Sequence, residues 1–315
     1  MKTMEPVSPN ESSRDRAKPR GRLYRAFVNP EERRLRAGGR IFCFSVLYLA
    51  LMAVEITLAL ILSGGELLIT SFSLSFIVAN LAVTLLAVWL ARRFLDRRPF
   101  LDLGLRPERG WWADLFFGAA LGGVLMAGIY LVEWAAGWLA FSGFAWDAMD
   151  WGQLLLPFAV AFFLYVVVGI NEELMMRGYV MQNLAAGLNM FWAVFISSAV
   201  FGLMHLGNPH ASWLSSLNIA VVGVLLAAGY LVTRSLWLPI GLHFGWNFFQ
   251  GTVFGFPVSG VGADAFHLIR QTVAGPEWVT GGSFGPEAGL TGLAAEIVGI
   301  ALIWLWGRAR ERFDV

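Results

Sequence analysis

The stretch QLLLPFAVAFFLYVVVGINEELMMRGYVMQNL, residues 153–184, decides the fold. Residues 153–171 hold no charged side chain and are close to the ~20 mostly apolar residues that cross a bilayer. Immediately behind them come two adjacent carboxylates, Glu172 and Glu173, and then Arg177, in a sequence that stays otherwise apolar. A spacing of four puts Glu173 and Arg177 on one helical face, close enough to pair. Glu172 points about 100° away from its neighbour, so one carboxylate can be structural while the other faces a cavity.

Working outward, apolar runs of spanning length recur at about 41–62, 70–91, 115–140, 190–206, 214–232, 236–254 and 290–306. With 153–171 they predict an all-α, polytopic transmembrane helical bundle of about eight spans. Composition agrees. Hydrophobic residues make up 57% of the 315, charged residues only 14%, and mean hydropathy is +0.63. A soluble domain averages about 25% charged residues, so neither a water-soluble nor a disordered chain has room for this much apolar surface. A single cysteine, Cys43, excludes an intramolecular disulfide framework and a CxxC redox pair.

The net charge of +1 hides an asymmetry. Residues 1–40 hold 11 Lys and Arg against 5 Asp and Glu, and read as a disordered, basic cytoplasmic tail. Residues 92–109 contribute six more arginines, Arg177 and Arg234 fall in the next two connections of the same side, and three arginines lie at 308–312. Only Arg270 falls on the other side. The positive-inside rule therefore puts both termini in the cytoplasm of a multi-pass cell-membrane protein. The basic tail reads as the flank of a membrane span, with no nucleic-acid partner.

The expected organisation is the tail (1–40), two N-terminal transmembrane helices (41–98), a helical core (99–255), an external loop (256–289) and a last span with the C-terminus (290–315). The loop is Gly- and Pro-rich, contains Asp264, His267, Glu277 and Trp278, and reads as a connector or a lid.

Ionisable side chains within a span are costly and mark candidate sites. Glu55, Glu133 and Glu296 stand alone and read as partners of polar groups across the bundle. The others form a constellation. Phe201 and His205 lie four apart in VFGLMHLGN, and His243 and Asn247 lie four apart in LPIGLHFGWNFF. An imidazole and an amide on one face suit donation to a developing oxyanion, or metal binding. Two His and one Glu (Glu172, His205, His243) also match the ligand set of one type of hydrolytic zinc site. HExxH and GxSxG are both absent, so activated water fits better than a covalent nucleophile.

In this order, EExxxR (Glu172, Glu173, Arg177), FxxxH (Phe201, His205) and HxxxN (His243, Asn247) resemble the CAAX-protease and bacteriocin-processing (Abi) family of intramembrane endopeptidases. LGLR (Leu103–Arg106) resembles it too, and the likeness covers about residues 100–255. The resemblance implies that Glu172 activates water with help from His205, that His243 and Asn247 stabilise the oxyanion, and that Glu173, Arg177 and Phe201 are supports. It implies a peptide or protein substrate, membrane-associated or cut near its C-terminus, within the lipid bilayer. The family is commonly called a metalloprotease. No cofactor is certain here: zinc on Glu172, His205 and His243, or a water held between the same residues, both stay open, with the metal-free form favoured. The alternative reading is a non-catalytic membrane partner or bacteriocin-immunity protein of the same fold. A proton-coupled transporter is a third, weakened by the lack of an internal repeat.

Overall fold

The computed structural model describes residues 27–29, 32, 34–62, 74–262 and 265–313. Most of the basic tail, and Asp264 in the expected loop, therefore lie outside the described residues. Where the tail is described, Val28–Asn29 pairs antiparallel with Arg34–Leu35, and the first long helix begins at Ala37.

The bundle is built from α1 (Ala37–Leu62), α2 (Leu74–Leu90), α3 (Trp111–Ala135), strand β1 (Leu139–Phe144) and α4 (Trp151–Glu173). A π-helical segment (Leu174–Val180) joins α4 without a break to α5 (Met181–Gly187). Then follow α6 (Met190–Met204), α7 (Trp213–Thr233), α8 (Trp237–Phe248), β2 (Ile269–Val273) and α9 (Leu290–Phe313). Polar residues at turns start the helices: the Asn189 side-chain Oδ1 accepts from Trp192 N at 3.0 Å, and Ser212 Oγ accepts from Ser215 N at 3.1 Å.

Seven helices among the described residues are long and apolar enough to cross a membrane. Seven of the eight expected spans correspond to them. The fourth is much longer than 153–171, because the helix runs on to Gly187 through the charged motif. The remaining candidate, 236–254, is a shorter helix, Trp237–Val253 including its π-helical end. Leu238 to His243 and Gly245 to Phe248 are all buried, as expected of a helix that is apolar all round and enclosed by its neighbours. The third candidate overshoots: Leu139 and Ala140 belong to β1, which pairs antiparallel with β2 from the segment expected to be a loop.

Helix α8 is wedged against α3 by glycines. A Cβ at Gly118 or Gly122 would collide with the backbone of α8, and one at Gly241 or Gly245 with the backbone of α3. Small residues four apart let the two helices approach this closely. One end of the bundle gathers the connections at 104–109 and 234–237: Leu236 N donates to Gly104 O (2.9 Å), and Arg310 pairs with Asp114 (2.6 Å) and donates to Arg109 O (3.2 Å). Asp96 there pairs with Arg40 (2.9 Å) and Arg92 (3.1 Å), all three buried. The other end gathers β1 and β2 with the 205–212 turn and the 256–289 segment, where Asn208 donates to Ser259 O (3.0 Å).

Candidate active site

The site forms where α4, α6 and α8 meet. On α4, Glu173 accepts from Arg177 at 2.7 Å as the spacing predicts, with both side chains out of contact with the surroundings of the protein. The Arg177 guanidinium lies 4.4 Å over the Phe201 ring and donates to the Gly223 carbonyl at 3.1 Å, so it ties α4 to α6 and α7. The second donor to Glu173 is His243 on α8, whose Nδ1 lies 2.9 Å from the same Oε1. That bond turns the ring so that Nε2 faces Glu172, at 3.8 Å from Oε2. The two carboxylates thus divide as their directions on the helix demand: Glu173 is buried behind the wall, and Glu172 is half-buried in it.

His205 closes α6. Its Nδ1 lies 2.8 Å from Phe201 O, an acceptor, so that nitrogen carries the proton and Nε2 is left for another partner. The Phe201 ring stands edge-on between the imidazoles, 4.8 Å from His205 and 6.3 Å from His243. Asn247, one turn beyond His243, is buried. Glu172, His205, His243 and Asn247 all line one cavity of about 450 Å³, within the usual range for ligand sites of roughly 300–1,000 Å³. Glu173 and Arg177 do not line it. The four proposed reacting side chains therefore share a space, with Phe201 beside them in its wall and Glu173 and Arg177 outside it.

Two features of the cavity escape the sequence. The first two long helices, outside the region of resemblance, supply part of its wall through Tyr48, Phe76 and Asn80. Asn171, next to Glu172, donates to Asn80 at 2.9 Å, and Asn80 in turn lies 3.5 Å from Glu55, the partner expected for that lone acid. The other feature is Glu287, from the segment expected to be an external loop. It folds into the cavity wall and accepts from Ser259 N and Oγ (both 2.8 Å) and from Trp246 Nε1 (3.3 Å), beside Asn247. Burial raises its carboxyl pKa, while the Ser259 bonds and nearby His205 pull the other way. Its signal in the sequence is slight: an acid between Gly, Pro and Ala in FGPEAGL. Elsewhere Glu133 accepts from Thr291 (2.8 Å), while Glu296 is fully buried with no hydrogen-bond partner for either oxygen among the described residues.

Among the described residues no three His, Cys, Asp or Glu side chains form a group that would hold a metal ion. The Glu172, His205 and His243 side chains do not converge into a group that would hold zinc as they stand.

These features define a polytopic helical membrane protein with a Glu, two His and an Asn around one cavity. Its residues 154–249 match the Rce1-like family of type II CAAX prenyl endopeptidases, so the chain carries a domain of the CAAX-protease family. The match spans all three motifs. The chain is also 25% identical over 220 residues to the uncharacterized protein YyaK of Bacillus subtilis (strain 168), covering 67% of this chain and 71% of that one. No solved structure matches it.

Proposed function

We propose that this protein is an intramembrane endopeptidase that hydrolyses a peptide bond with water activated by Glu172. The observation that carries the reading is the placement of Glu172, half-buried at the cavity wall with Oε2 unpartnered, opposite His243 Nε2. A carboxylate left without a partner has an acceptor free for a water proton. Glu172 takes that proton as the water oxygen attacks the scissile carbonyl, and His205 Nε2 helps orient the water. His243 and Asn247 receive the oxyanion. With His243 Nδ1–H given to Glu173, Nε2 donates only when the ring carries both protons, and the two flanking carboxylates balance that charge. The proton on Glu172 then passes to the leaving amine. No step uses a metal.

Glu173 and Arg177 are positioning residues in this scheme: the first fixes the His243 ring, the second fixes Glu173 and packs on Phe201. Both termini lie on the cytoplasmic side. The clustering of the 104–109 and 234–237 connections with Arg310 at one end of the bundle supports this, because these are the arginine-rich segments.

The test is product analysis with the detergent-purified full chain and a library of apolar peptides. Wild type generates new termini, while Glu172→Gln binds the same peptides and leaves them intact. A non-catalytic partner protein would bind them and cut none with either form.

A further inference from the structure

A second cavity, of about 230 Å³, opens at the arginine-rich end of the bundle and shares no lining residue with the site at Glu172. Three membrane-length helices end at it. Its wall contains Trp111, the first residue of α3, Thr233, the last of α7, and Arg310, where the final span stops. That places the cleft at the depth of the lipid headgroups. Aromatic rings mark the same level: Trp111 packs on Trp237 with ring centroids 4.7 Å apart, and Trp112 is exposed.

The charged side chains of the wall come as three of each sign: Arg106, Arg234 and Arg310 with Asp102, Glu108 and Asp114. Two pairs are made within it, Arg106 with Asp102 (2.6 Å) and Arg310 with Asp114 (2.6 Å). The other two charges are not joined. Among the described residues the Arg234 guanidinium has no hydrogen bond or ion pair, and the Glu108 carboxylate has none either, with only the field of Arg106 nearby. Both residues are exposed. Arg234 also holds a backbone conformation that glycine adopts most easily. It caps the C-terminus of α7 at φ 55° and ψ 23°, in the left-handed region, and its N–H donates to Tyr230 O at 2.7 Å. What an arginine adds at that turn is its side chain, and that side chain lines the cleft.

We infer that this cleft holds the headgroup of a phospholipid that carries both a phosphate and a primary ammonium, as phosphatidylethanolamine does. Arg234 presents a planar fork of donors to the phosphate oxygens. Glu108 accepts from the ammonium, which a two-carbon linker keeps close to the phosphate. One free charge of each sign matches this zwitterion. A purely anionic headgroup would meet Glu108 unmatched, and a trimethylammonium has no N–H to give it. The acyl chains stay in the bilayer.

The experiment is native mass spectrometry of the detergent-solubilised full chain with phosphatidylethanolamine, phosphatidylglycerol and phosphatidylcholine of the same acyl chains. The affinity of the first bound lipid is read for each. Phosphatidylethanolamine binds about fivefold more tightly than either of the others, the worth of one charge at a membrane surface. Arg234→Gly removes that preference without lowering the thermal midpoint of the lipid-free protein, because glycine accepts the left-handed turn; loss of a merely structural arginine would lower it. Glu108→Gln brings phosphatidylethanolamine down to the level of phosphatidylglycerol. Equal binding of the three lipids, a preference for phosphatidylglycerol, or a preference that survives Arg234→Gly overturns the inference. Full displacement of the lipid by soluble glycerophosphoethanolamine at equal concentration would overturn the lipid as occupant in favour of a free phosphodiester; weak displacement supports the lipid.

Discussion

Glu173 shows how much one buried carboxylate organises. Its Oε1 receives both Arg177 and His243, so its replacement has two separable effects. Glu173→Gln leaves the Arg177 charge buried without its counterion, and breaking such a pair costs about 3–5 kcal/mol. The expected result is a large drop in the thermal midpoint of the purified protein, along with lost activity. Asn247→Ala should separate the two: a lost oxyanion donor costs about 10²–10³ in kcat, with the midpoint little changed. A midpoint drop as large as that of Glu173→Gln would make Asn247 a packing residue. Glu172, Glu173 and Arg177 are legible in the sequence because charges in an apolar helix are expensive and stand out. Glu287 is not, because a lone acid among Gly and Pro looks like any solvated loop until the chain folds back and buries it beside Trp246 and Ser259.

At the scale of elements, the alignment of His243 and Asn247 with α4 depends on how closely α8 approaches α3. Gly245 has no room for a Cβ against Ala119, whereas Gly128 on α3 faces open space. Gly245→Val should therefore push α8 away and lower both activity and stability, the latter by about 1–3 kcal/mol as for other overpacked sites. Gly128→Ala should leave both unchanged, as read by cleavage rate and thermal unfolding. Equal behaviour of the two variants would remove the close approach from the account. The long helices are legible because apolar length alone marks them. The enclosure of α8 and the β1–β2 pairing are not: the strands are separated by more than 120 residues, and nothing local in Leu139–Phe144 names its partner.

For the whole molecule, the fold class and the constellation of Glu172, His205, His243 and Asn247 in one cavity follow from spans and spaced polar residues. The contribution of the first two helices to that cavity does not, since Tyr48, Phe76 and Asn80 sit in unremarkable apolar runs. The two ends of the bundle also make a topological prediction. With Cys43 replaced by Ser, Ser283→Cys should react in intact cells with a membrane-impermeant maleimide, and Glu108→Cys only after permeabilisation; the opposite pattern would invert the orientation.

In the proposed reaction Glu172 drives hydrolysis without a metal. The direct measurement is the single-turnover cleavage rate of one apolar peptide by the purified full chain, wild type beside Glu172→Gln, each with and without a strong chelator. Wild type should be indifferent to the chelator, and Glu172→Gln should be slower by about 10²–10⁴, the usual contribution of a general base. Full cleavage by Glu172→Gln, or wild-type cleavage abolished by the chelator and restored by zinc, would contradict it.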